Sequence, residues 1–355
     1  MPEIKVTLAQ QLKQKPQDES KLGFGKLFTD HMLVIPYTTE KGWHDPQVIP
    51  YQDFKMDPAA MVLHYGQAIF EGMKCYRRAD GGLQLFRPRA NMERMCRSAK
   101  RMCMPELDVD LCLEGLRTLL EVEKDWVPHQ EGTSLYIRPT MIATQPMLGV
   151  HAANQYLFYI ILSPVGAYYA NGLAPVNIYV EDQYVRAVRG GVGFTKCAGN
   201  YAASILAGEI ANQKGFDQVL WLDGVEQKYV EEVGSMNMMF AYGSKIVTPM
   251  LNGSILPGIT RDSIITVAKQ LGYEVEEKRI SIEEIFNDIK SGKCTEAFGT
   301  GTAAVISPVG KLCWKEEMIT VGDGNIGTVA QKLYDTLTGI QWGRIADENN
   351  WIVKL

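Results

Sequence analysis

The spacing of hydrophobic residues changes along the chain, and these changes predict a mixture of strands and helices. Short apolar runs broken by glycine and proline over 29–51 are typical of antiparallel strands and turns. Residues 135–144 and 156–163 also have strand character. Elsewhere apolar residues recur every three or four positions, most clearly over 326–340, which indicates a helix with one buried face.

Turn and capping signals place the ends of several elements. The polar, glycine-containing sequences at 79–82 and 223–224 each separate two apolar runs, which predicts a β-hairpin at both places. Pro88 suits the first position of a helix, and Asp108 suits the cap of the next one. Ser281, followed three residues later by a glutamate, is a capping box that opens a further helix.

The length of the chain favours two domains, since 355 residues exceed the usual size of one. Two prolines and two glycines between residues 164 and 175 mark the best candidate for a linker. We predict a small N-terminal domain over 1–168, of which 1–22 form a poorly ordered arm. A linker at 169–175 and a larger C-terminal domain over 176–355 follow.

Composition and charge exclude several classes of protein. Hydrophobic residues make up 46% and charged residues 22% of the chain, as in globular proteins. A formal net charge of −5 argues against a general nucleic-acid binder, which usually carries a basic stripe. The longest apolar runs, such as 156–162, are too short to cross a bilayer, and the polar N-terminus lacks the apolar core of a signal peptide.

The seven cysteines form neither a CxxC pair nor a metal-binding pattern with histidine. They are typical of reduced, mostly buried thiols. We therefore predict a cytoplasmic protein with no metal site and with no nucleic-acid or membrane partner.

A loop near the middle of the chain contains a lysine that could carry chemistry. Gly190, Gly191 and Gly193 disfavour a continuous strand or helix, because ordering glycine costs the most backbone entropy. The loop delivers Lys196 into a surround of small residues just before a helical segment at 201–212. Such a lysine is either a solvated cation or a buried amine, and a buried amine can form a Schiff base. The loop alone leaves both interpretations open.

A lysine that holds a phosphorylated aldehyde needs an anion cradle and a carboxylate for the ring nitrogen. The hydroxyl-rich residues 298–304 and the turn at 256–262 before a helix could supply the cradle. Glu231 or Glu232 could supply the carboxylate, although strand alternation turns only one of them inward. Each feature is unspecific alone, because tight turns, helix starts and exposed pairs of carboxylates are common.

The sequence at 322–327 matches the G-x-G-x-x-G pattern of dinucleotide-binding proteins and opens a helix, and Asp347 falls about where a ribose-binding acid is expected. Only residues 328–355 follow, which are too few for the parallel sheet of a dinucleotide fold. A nicotinamide (NAD)-dependent oxidoreductase is therefore a weak alternative from a different class of protein.

Eight short motifs, taken in order, resemble the branched-chain amino acid aminotransferases within the fold-type IV family of pyridoxal-phosphate enzymes. The resemblance extends from about Phe24 to the C-terminus. The motifs are FTDHM (28–32), HYGQAIFEGMK (64–74), NMERM (91–95), LYIRP (135–139), the lysine loop, EEVGSMN (231–237), LPGITR (256–261) and FGTGTAA (298–304).

The resemblance implies a role for several residues around the cofactor, pyridoxal 5'-phosphate. Lys196 would bind it through a Schiff base and carry the proton between the substrate Cα and the cofactor. Tyr201 would hydrogen-bond the ring oxygen, and Glu232 would pair with the ring nitrogen and keep it protonated. Arg94 would bind the phosphate, although the composition of 87–101 alone favours a solvated helix face. The remaining phosphate ligands would be Ile259, Thr260 and Thr302.

The resemblance also implies a substrate pocket. Its members would be Tyr65, Phe70, Tyr136, Arg138, Thr302 and Ala303, with Phe24 as a further candidate. The aromatic rings would form an apolar space for a branched side chain, and Tyr136 would lie near the substrate α-carboxylate with the amides of Thr302 and Ala303. Arg138 would bind the distal carboxylate of glutamate, so that one pocket serves both kinds of substrate.

The activity implied is transamination of L-leucine, L-isoleucine and L-valine with 2-oxoglutarate, giving branched-chain 2-oxo acids and L-glutamate. The fold implied is two α/β domains, of α+β type, with the cofactor at the domain interface and the protein in a homodimer. D-Amino acid aminotransferases and a pyridoxal-phosphate lyase share this fold and would differ in the pocket. A non-catalytic binding module would not depend on Lys196. By the same resemblance, mammalian members have a redox CxxC whose two cysteines correspond to Ala304 and Ser307 of this chain. The absence of both thiols excludes a thiol switch at that position.

Overall fold

The computed structural model describes residues 2–166 and 173–355, and within them the chain forms nineteen strands and seven α-helices. The strands are β1 (Lys5–Val6), β2 (His31–Thr38), β3 (Gly42–Trp43), β4 (Gln47–Pro50), β5 (Ala68–Phe70), β6 (Met73–Arg77), β7 (Leu83–Phe86), β8 (Ser134–Ala143), β9 (Gln155–Val165), β10 (Val176–Glu181), β11 (Gln218–Leu222), β12 (Val230–Val233), β13 (Met236–Tyr242), β14 (Lys245–Pro249), β15 (Glu274–Lys278), β16 (Glu296–Gly301), β17 (Val305–Trp314), β18 (Glu317–Thr320) and β19 (Ile352–Lys354). The helices are α1 (Met61–Tyr65), α2 (Pro88–Arg101), α3 (Val109–Val122), α4 (Ala198–Gln213), α5 (Ile259–Gln270), α6 (Ile282–Lys290) and α7 (Thr328–Gln341).

Contacts divide the chain into two compact units. The first contains 1–170, 195–198 and 340–355, and the second contains 171–194 and 199–339. This division differs from the predicted domains at two segments, because 195–198, which include the lysine, and 340–355 group with the first unit. Of the predicted linker, residues 169–172 lie outside the described residues.

The first unit is built on one sheet of ten strands. The order is β1-β4-β2-β9-β8-β6-β7-β19, with β3 paired to β2 and β5 paired to β8. Every pair is antiparallel except β1 with β4, and the long hairpin of β8 and β9 lies near its centre. The C-terminal β19 pairs with β7, where Ile352 lies opposite Phe86, and this pairing places the end of the chain in the first unit.

The segment predicted to be a poorly ordered arm is instead attached to this sheet. Besides the pairing of β1, the N–H of Ala9 donates to Nε2 of His31 at 2.8 Å. The N–H of Lys13 donates to the carboxylate of Asp30 at 2.7 Å, and its ammonium donates to the carbonyl of Thr29 at 2.8 Å. These partners are distant in sequence, so no local pattern reveals them.

Helices α2 and α3 of the first unit begin where the sequence predicts. Pro88 occupies the first turn of α2, and the carboxylate of Asp108 caps α3 by accepting from the N–H of Leu111 at 3.0 Å. Helix α2 buries Met92, Met95 and Ala99, but it also buries Arg94. A buried cation requires a compensating partner, so the interpretation of this helix as one with all its charges solvated is wrong.

The second unit contains a sheet of nine strands. The order is β12-β11-β10-β17-β16-β13-β14-β15, with β18 paired to β17. Because β12 also pairs with β13, six of these strands close into a ring. Strand β10 is parallel to both of its neighbours, and β14 is parallel to β15, whereas the other pairs are antiparallel.

Two local predictions for the second unit are confirmed. Strands β11 and β12 pair antiparallel across a turn at Asp223, whose buried carboxylate accepts from the N–H groups of Glu226 and Tyr229 at 2.8 Å each. Burial alone would raise the pKa of this carboxyl, but its backbone donors outweigh burial and hold the pKa below the ordinary value. Ser281 caps α6 by accepting from the N–H of Glu284 at 3.1 Å.

Two further features bear on the oxidoreductase alternative and on membrane-spanning helices. Residues 322–327 form turns ahead of α7, and the strand that follows this helix pairs antiparallel with β7, which does not match a dinucleotide fold. Among the described residues, the longest helices are too short or too polar to cross a membrane.

Candidate active site

Lys196 is held in the first unit by its backbone. Its N–H donates to Oγ of Ser98 on α2 at 3.0 Å, and its carbonyl accepts from the N–H of Phe70 on β5 at 3.0 Å. The next residue, Cys197, forms a bridge with Ile69. The lysine side chain is half-buried, and its Nζ lies 4.8 Å from the centre of the Phe70 ring. The structure therefore favours the partly buried amine over the solvated surface cation.

Arg94 forms a buried ion pair with Glu71. Its Nε and Nη2 donate to the two carboxylate oxygens of Glu71 at 2.7 and 2.8 Å. The side-chain amide of Asn91 and the N–H of Gly72 donate to the same carboxylate at 2.9 and 3.2 Å. Burial would raise the pKa of Glu71, but the charge and hydrogen bonds of Arg94, the charge of Lys196 and the bond from Asn91 hold it below the ordinary value. No local pattern in the sequence distinguishes Glu71, although it directly follows Phe70 in the HYGQAIFEGMK motif at 64–74.

Aromatic residues of the first unit surround the lysine and a second arginine. The rings of Phe24 and Tyr136 meet edge to face with centroids 4.9 Å apart. Arg138 donates from Nη2 to the hydroxyl of Tyr136 at 3.1 Å, and its guanidinium carbon lies 4.8 Å from the centre of the Phe70 ring. Phe70 therefore contacts both cations, and the structure brings these four predicted pocket residues together with Lys196.

Arg138 has a donor suited to an anionic ligand. Its Nε is buried and has no hydrogen-bond partner among the described residues, although a buried donor normally has one. Tyr65, by contrast, is 41% exposed, and the ring contact described for it is with His64. The structure therefore supports Arg138 as a pocket residue more directly than it supports Tyr65.

Glu232 is the better held of two adjacent carboxylates in the second unit. Both Glu231 and Glu232 are buried, so the interpretation of them as an exposed pair is wrong. Arg186 lies against Glu232 with Nε 2.7 Å from Oε2. Oε1 accepts from the amide of Asn237 at 3.1 Å and from the N–H of Leu256 at 3.0 Å. These donors stabilise the ionised carboxylate, which is the form that a protonated ring nitrogen requires.

Arg186 also fixes the glycine-containing loop ahead of the lysine. Its Nη1 donates to the carbonyls of Ser254 at 2.9 Å and of Gly193 at 3.3 Å. A Cβ at Gly193 would collide with the carbonyl of Ser254, and the φ of +82° at Gly190 also favours glycine. The sequence contains no local signal for Arg186, since its partner Glu232 lies on a distant strand.

The start of α5 provides donors for an anion. Gly258 is its N-cap and carries no side chain to cap the helix, so no side chain at that position satisfies the N–H groups of Ile259 and Thr260. The positive end of the helix dipole favours a negatively charged ligand there.

The other predicted residues of the second unit lie after strand β16 and at the start of helix α4. Asn237, which hydrogen-bonds Glu232, lies opposite Thr300 in the sheet. Thr302 and Ala303 form the turn directly after β16, and Oγ1 of Thr300 is buried without a partner among the described residues. Tyr201 lies in the first turn of α4.

Each unit by itself contains groups that suit part of a phosphorylated aldehyde. The first unit has a half-buried amine and a buried guanidinium, and the second has a buried carboxylate paired with Arg186 and a helix start without a side-chain cap. An amine binds an aldehyde covalently, while a guanidinium and helix amides bind phosphate.

Comparison with known proteins agrees with this chemistry. The family model for class IV aminotransferases matches residues 68–312. The chain is 56% identical over 352 residues to branched-chain-amino-acid aminotransferase 2 of Bacillus subtilis, covering 99% of this chain and 97% of the relative.

Solved structures give the same result. The branched-chain amino acid aminotransferase of Escherichia coli superposes with a TM-score of 0.74 at 30% identity, covering 86% of this chain and 95% of that one. The enzyme of Thermobaculum terrenum, solved in its PLP form, shares the fold with a TM-score of 0.74 at 22% identity, covering 92% and 98%. This chain belongs to the class IV aminotransferase family.

Proposed function

We propose that this protein is a pyridoxal-phosphate-dependent transaminase that moves the amino group between branched-chain L-amino acids and 2-oxoglutarate. The observation that carries the proposal is the ring of Phe70, whose centre lies 4.8 Å from both the amine of Lys196 and the guanidinium carbon of Arg138. An amine, an apolar wall and a cation are what the two substrates require. The relatives named above as branched-chain aminotransferases support the choice of substrate.

We assign the cofactor to residues of both units. Lys196 would bind the aldehyde carbon, and Glu232 and Tyr201 would bind the ring nitrogen and the ring oxygen. Arg94 would bind the phosphate, and the other phosphate ligands would be Thr302 and the amides of Ile259 and Thr260. When bound, pyridoxal phosphate supplies a ring that delocalises the electron pair left on the substrate Cα after its proton is removed.

The residues of the chain supply positioning and proton transfer. The backbone bonds to Ser98 and from Phe70 hold Lys196 in place, so that its amine is positioned to take the proton from the substrate Cα and to return it. The hydrogen bonds to Glu232 keep it ionised, and an ionised partner keeps the ring nitrogen protonated.

The substrate pocket accommodates two kinds of side chain. Phe70 and Phe24 would contact the branched side chain, and Tyr136 would lie near the substrate α-carboxylate. Nε of Arg138 would receive the distal carboxylate of glutamate. A single apolar space with one placed cation therefore explains the acceptance of both. The remaining substrate contacts, which rest on the resemblance, would be Tyr65, Thr302 and Ala303.

The absorption spectrum of the purified protein tests this function. We expect a visible or near-ultraviolet band of bound cofactor that moves on addition of L-leucine and returns on addition of 2-oxoglutarate. The reversal is expected because the amino group enters with one substrate and leaves with the other. A protein that stays colourless with added pyridoxal phosphate would contradict the cofactor. A band that ignores L-leucine but responds to a D-amino acid would favour the D-amino acid aminotransferase alternative.

We also propose that the protein is a homodimer. The loop between β8 and β9 exposes Leu148 by 70% and Val150 by 87%, and adjacent exposed apolar residues often mark a surface that another chain covers. The homodimers of the resembling family support the choice of a second copy.

Light scattering after size-exclusion chromatography tests the dimer. We expect the mass of two chains for the wild type and of one chain for the double variant Leu148→Glu/Val150→Glu, because two buried charges would oppose association. The control is Val225→Glu, which changes a residue that is 71% exposed in a different loop and should stay dimeric. A wild type of one-chain mass at micromolar concentration would contradict the proposal.

A cytoplasmic location stays a prediction. Each of the seven cysteines is free, as expected in a reducing compartment. Fractionation of the source cells would test the location directly.

A further inference from the structure

The Glu71 carboxylate is more completely enclosed than its role as a partner of Arg94 would require. It has no exposed surface and accepts four hydrogen bonds, two from Arg94 and one each from Asn91 and Gly72. Both of its oxygens are therefore fixed in position. A carboxylate held so rigidly is a fixed negative charge inside the first unit, and its effect extends to any group nearby.

The backbone of Lys196 forms hydrogen bonds to one residue next to Glu71 and to another one helical turn from Arg94. The carbonyl of the lysine accepts from the N–H of Phe70, the residue directly before Glu71, and its amine lies over the Phe70 ring. The N–H of the lysine donates to Ser98, one helical turn after Arg94 on α2. The lysine backbone is thus fixed relative to both members of the ion pair.

The charges around the amine explain why a compensating carboxylate is needed. Arg94 is always protonated, and the guanidinium carbon of Arg138 lies 4.8 Å from the centre of the same Phe70 ring that the Lys196 amine contacts. Two guanidinium groups near an amine oppose its protonation, whereas one carboxylate favours it. Glu71 is the acidic side chain whose charge interacts with both Arg94 and Lys196.

We propose that Glu71 is a positioning residue that orients the Arg94 guanidinium and compensates its charge beside the Lys196 amine. The catalytic purpose of this role rests on the proposed function. The arrangement of Glu71, Arg94 and Lys196 does not, because it lies within one unit of this chain. During transamination the amine must both take and return a proton. The guanidinium groups disfavour the protonated form of the amine, and the carboxylate of Glu71 opposes that effect.

The proton affinity of Lys196 can be measured without the cofactor. Full-length protein freed of cofactor is treated with 1-fluoro-2,4-dinitrobenzene, an uncharged reagent that reacts with an amine only in its neutral form. The rate of modification of Lys196 is followed by peptide mass spectrometry across a range of pH. The midpoint of the rate profile reports the pH at which the amine loses its proton.

Variants of Glu71 should change the midpoint of the Lys196 rate profile according to the charge that they keep or remove. Glu71→Gln removes the carboxylate and leaves Arg94 uncompensated, so the midpoint should fall by about one pH unit. Glu71→Asp keeps the charge and should restore most of the wild-type midpoint. Glu93→Gln removes an exposed carboxylate next to Arg94 in sequence and should leave the midpoint unchanged. A midpoint of Glu71→Gln within about 0.2 pH units of the wild type would overturn the proposal.

A second variant decides the question if Glu71→Gln does not fold. Arg94→Gln removes the cation and keeps the carboxylate, so the midpoint of Lys196 should rise by about one pH unit. An unchanged or lower midpoint would overturn the proposal. These outcomes do not depend on transaminase activity, because the measurement requires neither cofactor nor substrate. A protein that fails the spectral test above but shows both shifts would retain the role of Glu71 and lose the proposed function.

Discussion

Lys196→Ala should abolish transamination between L-leucine and 2-oxoglutarate, with a loss of about 10⁴-fold or more. One side chain supplies both the covalent attachment of the cofactor and the group that moves the proton, so its removal eliminates both. The loop should remain in place, because Ser98 and Phe70 bind the backbone of residue 196 rather than its side chain. The measurement is the steady-state rate of the variant at saturating substrate and added pyridoxal phosphate.

A matched control separates this loss from a general effect of removing a lysine. Lys214 is an exposed lysine whose ammonium lies over the ring of Tyr179, and Lys214→Ala should keep nearly the wild-type rate. The unfolding midpoint of Lys196→Ala should stay close to that of the cofactor-free wild type. A rate of Lys196→Ala near that of the wild type would contradict the assignment of the cofactor to this lysine.

Local features of the fold could be predicted because their causes lie within a few residues. The cap at Asp108 depends on an N–H three residues later, and the capping box at Ser281 has the same short range. The hairpin across 79–82 depends on a turn that its own residues favour. Such elements leave a signal in any short stretch of sequence.

Contacts between distant segments were missed for the opposite reason. Nothing near β1 indicates that it pairs with β4, and nothing near β19 indicates that it pairs with β7. The lysine segment groups with the first unit and forms hydrogen bonds to Ser98 and from Phe70, which lie about a hundred residues or more away in sequence. The boundaries of the units therefore follow long-range pairing rather than composition.

The buried charges show a similar limit. Composition favoured a solvated face for Arg94, and strand alternation predicted that only one of Glu231 and Glu232 turns inward, yet all three are buried. The partners of Arg94 and Glu232, which are Glu71 and Arg186, come from other elements, and no local pattern indicates either of them. The resemblance indicated a role for Arg94 and Glu232, but only the structure identifies the groups that make their burial possible.

Glu232→Gln should slow both half-reactions by about 10²-fold, which corresponds to ~2.7 kcal/mol in the barrier. The ionised carboxylate would keep the ring nitrogen protonated throughout the reaction, and a neutral amide cannot. Cofactor binding should persist, because Lys196 and the phosphate ligands are unchanged. Stopped-flow absorbance with L-leucine alone, and then with 2-oxoglutarate, measures the two half-reactions separately.

The neighbouring carboxylate provides the control for this variant. Glu231 is buried on the same strand and accepts from the amide of Asn252 at 2.9 Å, so Glu231→Gln matches Glu232→Gln in burial and in the loss of one charge. The amide in Glu232→Gln also leaves Arg186 without its ionic partner, which lowers stability but does not by itself act on the ring nitrogen. If the two variants slow the half-reactions equally, the effect is structural. If Glu232→Gln stays within a factor of about two of the wild type, less than ~0.5 kcal/mol, Glu232 does not control the ring nitrogen.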